Sequence, residues 1–250
     1  MTTMFKSKSK SIFIILSSVF FILVLLAGGA VIYVSDYYRA TDEAEISFAP
    51  EENIQSYTTD DGHIVFEPES YEIGFIFYPG GKVEHRAYQP LMAELAREGV
   101  LCILIKMPFN LAVLNMDAAD GIKENFSEVE RWYIGGHSLG GSMAASHLVK
   151  NATDYSGLVL LGAYSTQDLS GKDLDVISIY GSEDKIMNRE KYEECLANLP
   201  EDYLEVVIIG GCHAFFGSYG TQDGDGTPTI SVDEQIELTV IRIMEMINKE

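Results

Sequence analysis

Gly136-His137-Ser138-Leu139-Gly140 places a serine between glycines two positions before and two after, the pattern G-x-S-x-G. Serine is a weak nucleophile at neutral pH, so it needs a base to take its proton and an acid to hold that base. Two later stretches offer both. Gly181-Ser182-Glu183-Asp184 follows one apolar run and Gly210-Gly211-Cys212-His213 follows another, so the order is serine, acid, histidine. In that order Ser138 would attack an acyl carbon. His213 would take its proton and return it to the leaving group, and Asp184 would hold the imidazole in one tautomer. Glu183 is the neighbouring alternative acid, and Asp168, in the loop before, a remoter one. Pro79-Gly80-Gly81-Lys82 is a glycine loop whose backbone N–H groups could approach a developing oxyanion. Gly81 is the expected first donor, with Lys82 close behind it, and the N–H of Leu139 the second. The set needs no cofactor, and no C-x-x-C pair or histidine cluster points to a metal.

Such side chains work only if secondary structure brings them to one place. The serine needs a strand before it and a helix after it, and Trp132 to Ile134 and Leu139 to Lys150 read as those two. Ile73 to Tyr78 and Val100 to Ile105 are continuous apolar strands. So are Leu158 to Leu161, Val176 to Tyr180 and Leu204 to Ile209. Helices are expected over Ala87 to Arg97, Asp117 to Glu124 and Val232 to Asn248, the last with Ile236, Val240, Ile243 and Ile247 on one stripe. Gln55 to Phe66, broken by Asp60-Asp61-Gly62, reads as a hairpin. Strands that are apolar throughout and alternate with helices predict a mostly parallel sheet covered on both faces, in one domain over residues 55–250. In such sheets ligands bind beyond the carboxyl ends of the strands, where Ser138, Asp184 and His213 fall.

The other histidines fit less well. His63 lies in the hairpin, His85 beyond the glycine loop and His147 on a helix. His137 neighbours the serine but points away from it, as a packing or lining residue. Cys102 reads as a core residue, and Cys195 and Cys212 could be paired or free.

The chain of 250 residues carries a net charge of −21. Lys6, Lys8 and Lys10 are its only charges before Asp36, leaving 14 basic against 38 acidic residues, or −24, for the rest. Such a domain repels nucleic acid and anionic lipid, which excludes nucleic-acid binding; the acidity serves solubility. Residues 12–34 carry no charge and are long enough to span a bilayer, with Tyr33, Tyr37 and Tyr38 at the far end. The lysines before it place residues 1–11 in the cytoplasm and the domain outside, joined by a juxtamembrane linker over 35–54. A cleaved signal peptide is the competing reading, although the run is long for one and shows no clean small-x-small cleavage site.

Taken together, Phe77-Tyr78-Pro79-Gly80-Gly81-Lys82-Val83, Lys106-Met107-Pro108-Phe109-Asn110, Gly136-His137-Ser138-Leu139-Gly140-Gly141, Gly181-Ser182-Glu183-Asp184 and Gly211-Cys212-His213 resemble the small, capless bacterial α/β hydrolases of the dienelactone-hydrolase-like group. The resemblance covers about Tyr71 to Lys249. It implies an α/β-hydrolase fold and a Ser–Asp–His site of esterase or lipase type. True dienelactone hydrolases carry a cysteine where Ser138 stands.

Only about a dozen residues, Gly162 to Lys172, lie between two of the strands, too few for a cap domain. Substrate would therefore be covered mainly by Pro108 to Leu111 and by the stretch Phe215 to Ile230, with Phe215 and Tyr219 as possible walls. Short acyl esters are the expected substrate. Asp223-Gly224-Asp225-Gly226 lacks the full ligand set of a calcium loop and reads as a solvated, flexible loop. Acyl transfer to an acceptor other than water, and a non-catalytic scaffold used for binding, are the alternative functions.

Overall fold

In a computed structural model the chain forms two units, Met1–Tyr37 and Tyr38–Glu250. Residues 2–46 and 51–249 are described, residues 2–15 by their backbone alone. Part of the expected linker, 47–50, and the side chains of Lys6, Lys8 and Lys10 lie outside the described residues.

A helix satisfies its backbone internally, so an uncharged apolar run can persist as a helix in lipid. The first unit contains one such helix, α1 (Thr2–Ser35). Within it Leu16–Ser35 is long and apolar enough to cross a membrane; a signal sequence meets the same criterion.

The second unit starts at Tyr38, earlier than the expected boundary at 55. Polar backbone decides this. Tyr38 donates its N–H to Lys82 O at 2.8 Å and accepts from Glu84 N–H at 2.8 Å. The short helix α2 (Asp42–Ile46) buries Ala44, whose carbonyl accepts from the buried amide of Gln89 at 2.8 Å. The stretch just after the apolar helix is thus docked on the domain.

Eight strands form one sheet: β1 (Ile54–Thr58), β2 (Ile64–Pro68), β3 (Ile73–Tyr78), β4 (Val100–Leu104), β5 (Arg131–His137), β6 (Gly157–Leu161), β7 (Asp175–Gly181) and β8 (Leu204–Ile208). Their order is β1-β2-β4-β3-β5-β6-β7-β8. From β4 to β8 neighbours run parallel, while the β1–β2 hairpin lies antiparallel at one edge. Alternation along β3 sends Phe75 and Phe77 into one core and Ile76 and Tyr78 into the other. Helices α3 (Gln89–Arg97) and α6 (Val232–Ile247) cover the first; α4 (Leu139–Asn151) covers the second. Leu91, Met92 and Leu95 of α3 are fully buried, each burial stabilising by about 1.5–3 kcal/mol. Ser231 caps α6 by accepting from Glu234 N–H, a contact of about 1 kcal/mol. One further short helix, α5 (Arg189–Cys195), follows β7.

The helix expected over Asp117 to Glu124 is absent. The chain there makes i→i+3 turns and a 3₁₀ turn at Lys123–Asn125. The buried phenol of Tyr78 takes the Ala119 N–H (2.9 Å) and donates to Met116 O (2.8 Å), so backbone groups that a helix would pair are used otherwise. The helix expected from Ala87 begins as the 3₁₀ turn His85–Tyr88 and becomes α-helical at Gln89.

Candidate active site

Strand order reverses around β3, which lies between β4 and β5. Crevices at such a reversal are where open parallel sheets bind ligands. The glycine loop leaves β3 there, and Ser138 leaves β5 beside it, with Tyr78 paired to Gly136.

Ser138 holds φ 52° and ψ −120°, a sparsely populated conformation for a residue with a Cβ, at a cost of about 1–3 kcal/mol. Its neighbours are glycines for a steric reason. A Cβ on Gly140 would stand 2.2 Å from Tyr78 O and 2.3 Å from Pro79 O, and one on Gly136 would stand 2.7 Å from the Gly140 carbonyl carbon. The turn closes only because both positions lack side chains. Lys82, Phe109 and Asn110 are the other non-glycine residues with positive φ among those described. They belong to one structure, since Lys82 N–H donates to Asn110 O at 2.8 Å.

That bond and one other sort the glycine loop's donors. Lys82 N–H is engaged by Asn110, and Gly80 N–H by the buried Tyr88 phenol at 3.0 Å. Gly81 N–H, between them, has no partner among the described hydrogen bonds. Gly81 also faces Leu139, whose side chain a Cβ there would meet at 2.9 Å. Leu139 opens α4, where amide groups have no intrahelical acceptor. Gly81 and Leu139 are thus neighbours, each with an N–H that has no partner among the described hydrogen bonds.

His213 Nδ1 lies 2.7 Å from Asp184 Oδ2, both side chains almost fully buried. The other carboxylate oxygen accepts from Ile186 and Met187 N–H, each at 2.9 Å. Three donors therefore fix the Asp184 carboxylate. Glu183 instead accepts from the Ser182 hydroxyl, and Asp168 from Ser170 in an exposed turn, where those bonds lower its carboxyl below the usual range. Neither meets His213. The serine and the pair share one strand end: Ser138 N–H donates to Leu161 O at 2.9 Å, and a Cβ on the next residue, Gly162, would lie 2.9 Å from His213 Nδ1.

Two residues that sequence reasoning passed over hold the loops in place. Gln235 of α6, fully buried, accepts from Cys212 N–H (2.9 Å) and donates to Cys212 O (2.8 Å), clamping the residue before His213. Asp225 accepts from Ala214 N–H (2.9 Å) beside the histidine and from Lys185 N–H (3.2 Å) beside the acid. The Asp223–Gly226 stretch is therefore a staple, not a free loop. A polar residue on a mostly apolar helix face was the available signal for Gln235; for Asp225 the acid–glycine run was visible, but its partners were not. Tyr219 also departs from expectation: it is core, its ring against Tyr38 and Tyr88.

His137 is 1% exposed and packs its ring on that of His213, with centroids 4.4 Å apart. Burial, with His213 beside it, holds its proton affinity well below the usual histidine range. Burial pushes the Cys212 thiol up to about 12, so it stays protonated. Cys102, Cys195 and Cys212 are each free. No cluster of three or more metal-ligating side chains occurs among the described residues. The segment 162–174 between β6 and β7 contains no helix or strand.

A family model described as the alpha/beta hydrolase family matches residues 74–237. No curated protein matches the chain. Solved structures of the same fold include TT1662 from Thermus thermophilus, with TM-score 0.59 and 12% identity over 79% of this chain and 99% of that one. Dienelactone hydrolase from Anabaena variabilis gives 0.58 and 13%, over 78% and 99%. Est1E from Butyrivibrio proteoclasticus gives 0.55 and 14%, over 79% and 100%. At these identities the likeness is one of fold.

Proposed function

The chain belongs to the α/β-hydrolase family, and from that premise we propose that it is a serine hydrolase that cleaves carboxylic esters through an acyl-enzyme on Ser138. The observation that carries this reading is the buried Asp184–His213 pair at the strand end where Ser138 is held in its strained turn. With Nδ1–H donated to Asp184, His213 keeps Nε2 as the acceptor for the serine proton. Ser138 Oγ bonds to the acyl carbon, and the carbonyl electrons move to oxygen, where Gly81 and Leu139 N–H receive the charge. The tetrahedral adduct collapses, the C–O bond to the alcohol breaks, and His213 returns its proton to that alcohol. Water repeats the sequence with the proton moving the same way, freeing the acid and Ser138. A binding scaffold would have no use for a serine held at about 1–3 kcal/mol of strain.

Short acyl esters are the proposed substrates, since no cap stands over the strand ends between β6 and β7. The exposed Phe109, Val113, Leu114 and Met116 lie in and just after the loop that Lys82 engages, and this apolar surface is the proposed contact for the acyl chain. Helix α1 would anchor the protein as a single span, with the lysine-bearing end in the cytoplasm and the hydrolase domain outside.

Labelling with a fluorophosphonate, followed by a panel of acyl esters, tests the reading. Wild type should label and hydrolyse, and Ser138→Ala should do neither. Labelling that survives Ser138→Ala would refute it.

A further inference from the structure

The proposed triad leaves one buried polar group unexplained. His137 Nε2 is the buried side-chain nitrogen or oxygen without a well-formed hydrogen bond among the described residues; only the backbone of His213 acts on it, as a weak acceptor. A buried donor so poorly paired is costly, and leucine or phenylalanine would fill the same space without that cost. The other ring nitrogen shows what the histidine holds. His137 Nδ1 lies 2.8 Å from the phenol oxygen of Tyr88, itself fully buried. That phenol also accepts Gly80 N–H at 3.0 Å. It has one proton to give, and His137 Nδ1 is its described acceptor, so His137 carries its own proton on Nε2.

Both ends of this chain reach the reaction centre. At one end, Tyr88 fixes Gly80 while Asn110 fixes Lys82. The N–H of Gly81 is bracketed between two held peptides. At the other end the His137 ring lies against the His213 ring. A neutral ring there offers a π surface to the imidazolium that forms on His213, where a second cation would oppose it.

We propose that Tyr88 and His137 are a positioning pair that ties the oxyanion loop at Gly80-Gly81 to the histidine of the triad. The proposal rests on the serine-hydrolase reading. Neither residue touches substrate; each acts through Gly81 or His213.

The test uses the full chain in detergent, with p-nitrophenyl acetate as substrate and a phenylboronic acid as a mimic of the tetrahedral adduct. The variants are Tyr88→Phe, His137→Leu, His137→Gln and the double Tyr88→Phe/His137→Leu. Removing one oxyanion donor outright costs roughly 10²–10³ in kcat. Loosening its support should cost about ten- to hundredfold, in both Tyr88→Phe and His137→Leu, with KM within about threefold. Boronate affinity should fall by the same factor as kcat, which a merely structural role would not produce. His137→Gln keeps an acceptor for the phenol and should recover most of the loss. The double variant should be no worse than the worse single one, because both break one chain. Tyr88→Phe retains the ring that fills the core, so it keeps the test readable if His137→Leu fails to fold. Tyr88→Phe with kcat within about twofold of wild type overturns the proposal. So does a fall in kcat with boronate affinity unchanged, or a double variant whose loss is the product of the two. If wild type is active and Ser138→Ala dead, those failures count against the pair alone. If wild type neither labels nor hydrolyses, the serine-hydrolase reading fails and the pair falls with it.

Discussion

Asp184 holds His213 by a 2.7 Å hydrogen bond between side chains that are 1% and 2% exposed. Its remaining oxygen is committed to two backbone donors, so it cannot swing away without leaving buried N–H groups unpaired. Asp184→Asn should keep the fold and lower kcat by roughly 10⁴, the loss of a triad whose histidine adopts the wrong tautomer. Glu183→Gln and Asp168→Asn should stay within about threefold of wild type. A larger loss in Glu183→Gln than in Asp184→Asn would reassign the acid.

Asp225 ties the acid loop to the histidine loop through Lys185 and Ala214 N–H. Asp225→Ala leaves those donors without their acceptor, so stability should fall by about 1–3 kcal/mol in urea unfolding. kcat should fall as well, since both loops lose their common tether. Added calcium should change neither, because the carboxylate serves backbone donors. Calcium-dependent stabilisation of wild type that Asp225→Ala abolishes would overturn this.

Burial, with Lys106 and Arg86 nearby, lowers the His85 imidazole to about 4. The unfolded chain, at the ordinary 6.5, therefore binds more protons than the folded one between pH 6.5 and 4. The contribution is fully present above pH 6.5 and is lost as pH falls toward 4, on the order of 3 kcal/mol in all. The stability difference between wild type and His85→Gln should shift against wild type across that window. A difference independent of pH from 7 to 4.5 would show that His85 titrates normally.

Acyl chain length should matter little beyond the first few carbons. Each methylene buried contributes about 0.8 kcal/mol, close to fourfold in kcat/KM. An uncapped site gains from few of them. kcat/KM should level off or fall from acetyl toward long acyl esters. A steady rise to long chains would favour a lipase and place the chain along Phe109, Val113 and Leu114.

The topology can be read with protease on intact cells whose outer envelope is permeable. An anchored protein with its lysines inside should lose the hydrolase domain to added protease. Protection until lysis would place the domain in the cytoplasm.

The amino-acid sequence by itself determined most of the strand-and-helix alternation, because β3 to β7 carry apolar residues on both faces and α3 and α6 each show an apolar stripe. It also determined the serine turn, where glycines flank a residue that cannot tolerate neighbouring side chains. The chain order of serine, acid and histidine was legible for the same reason, each standing just past a strand. Periodicity failed at Asp117 to Glu124, where a helix was expected. There a buried tyrosine hydroxyl took backbone bonds that periodicity cannot see. Nor could it show that Tyr38 to Ile46 docks on the domain, since that depends on partners some 45 residues away. Sequence preferred Asp184 but left Glu183 open; only tertiary structure shows that it is Asp184 whose carboxylate meets His213, because adjacent side chains leave a turn in different directions. Tertiary structure alone made Gly81 the unengaged donor, through the hydroxyl of Tyr88 and the carbonyl of Asn110 on either side. Gln235, Asp225 and the Tyr88–His137 contact belong to the same class. Each joins segments distant in sequence by a hydrogen bond, and such a bond leaves no periodic trace along the chain.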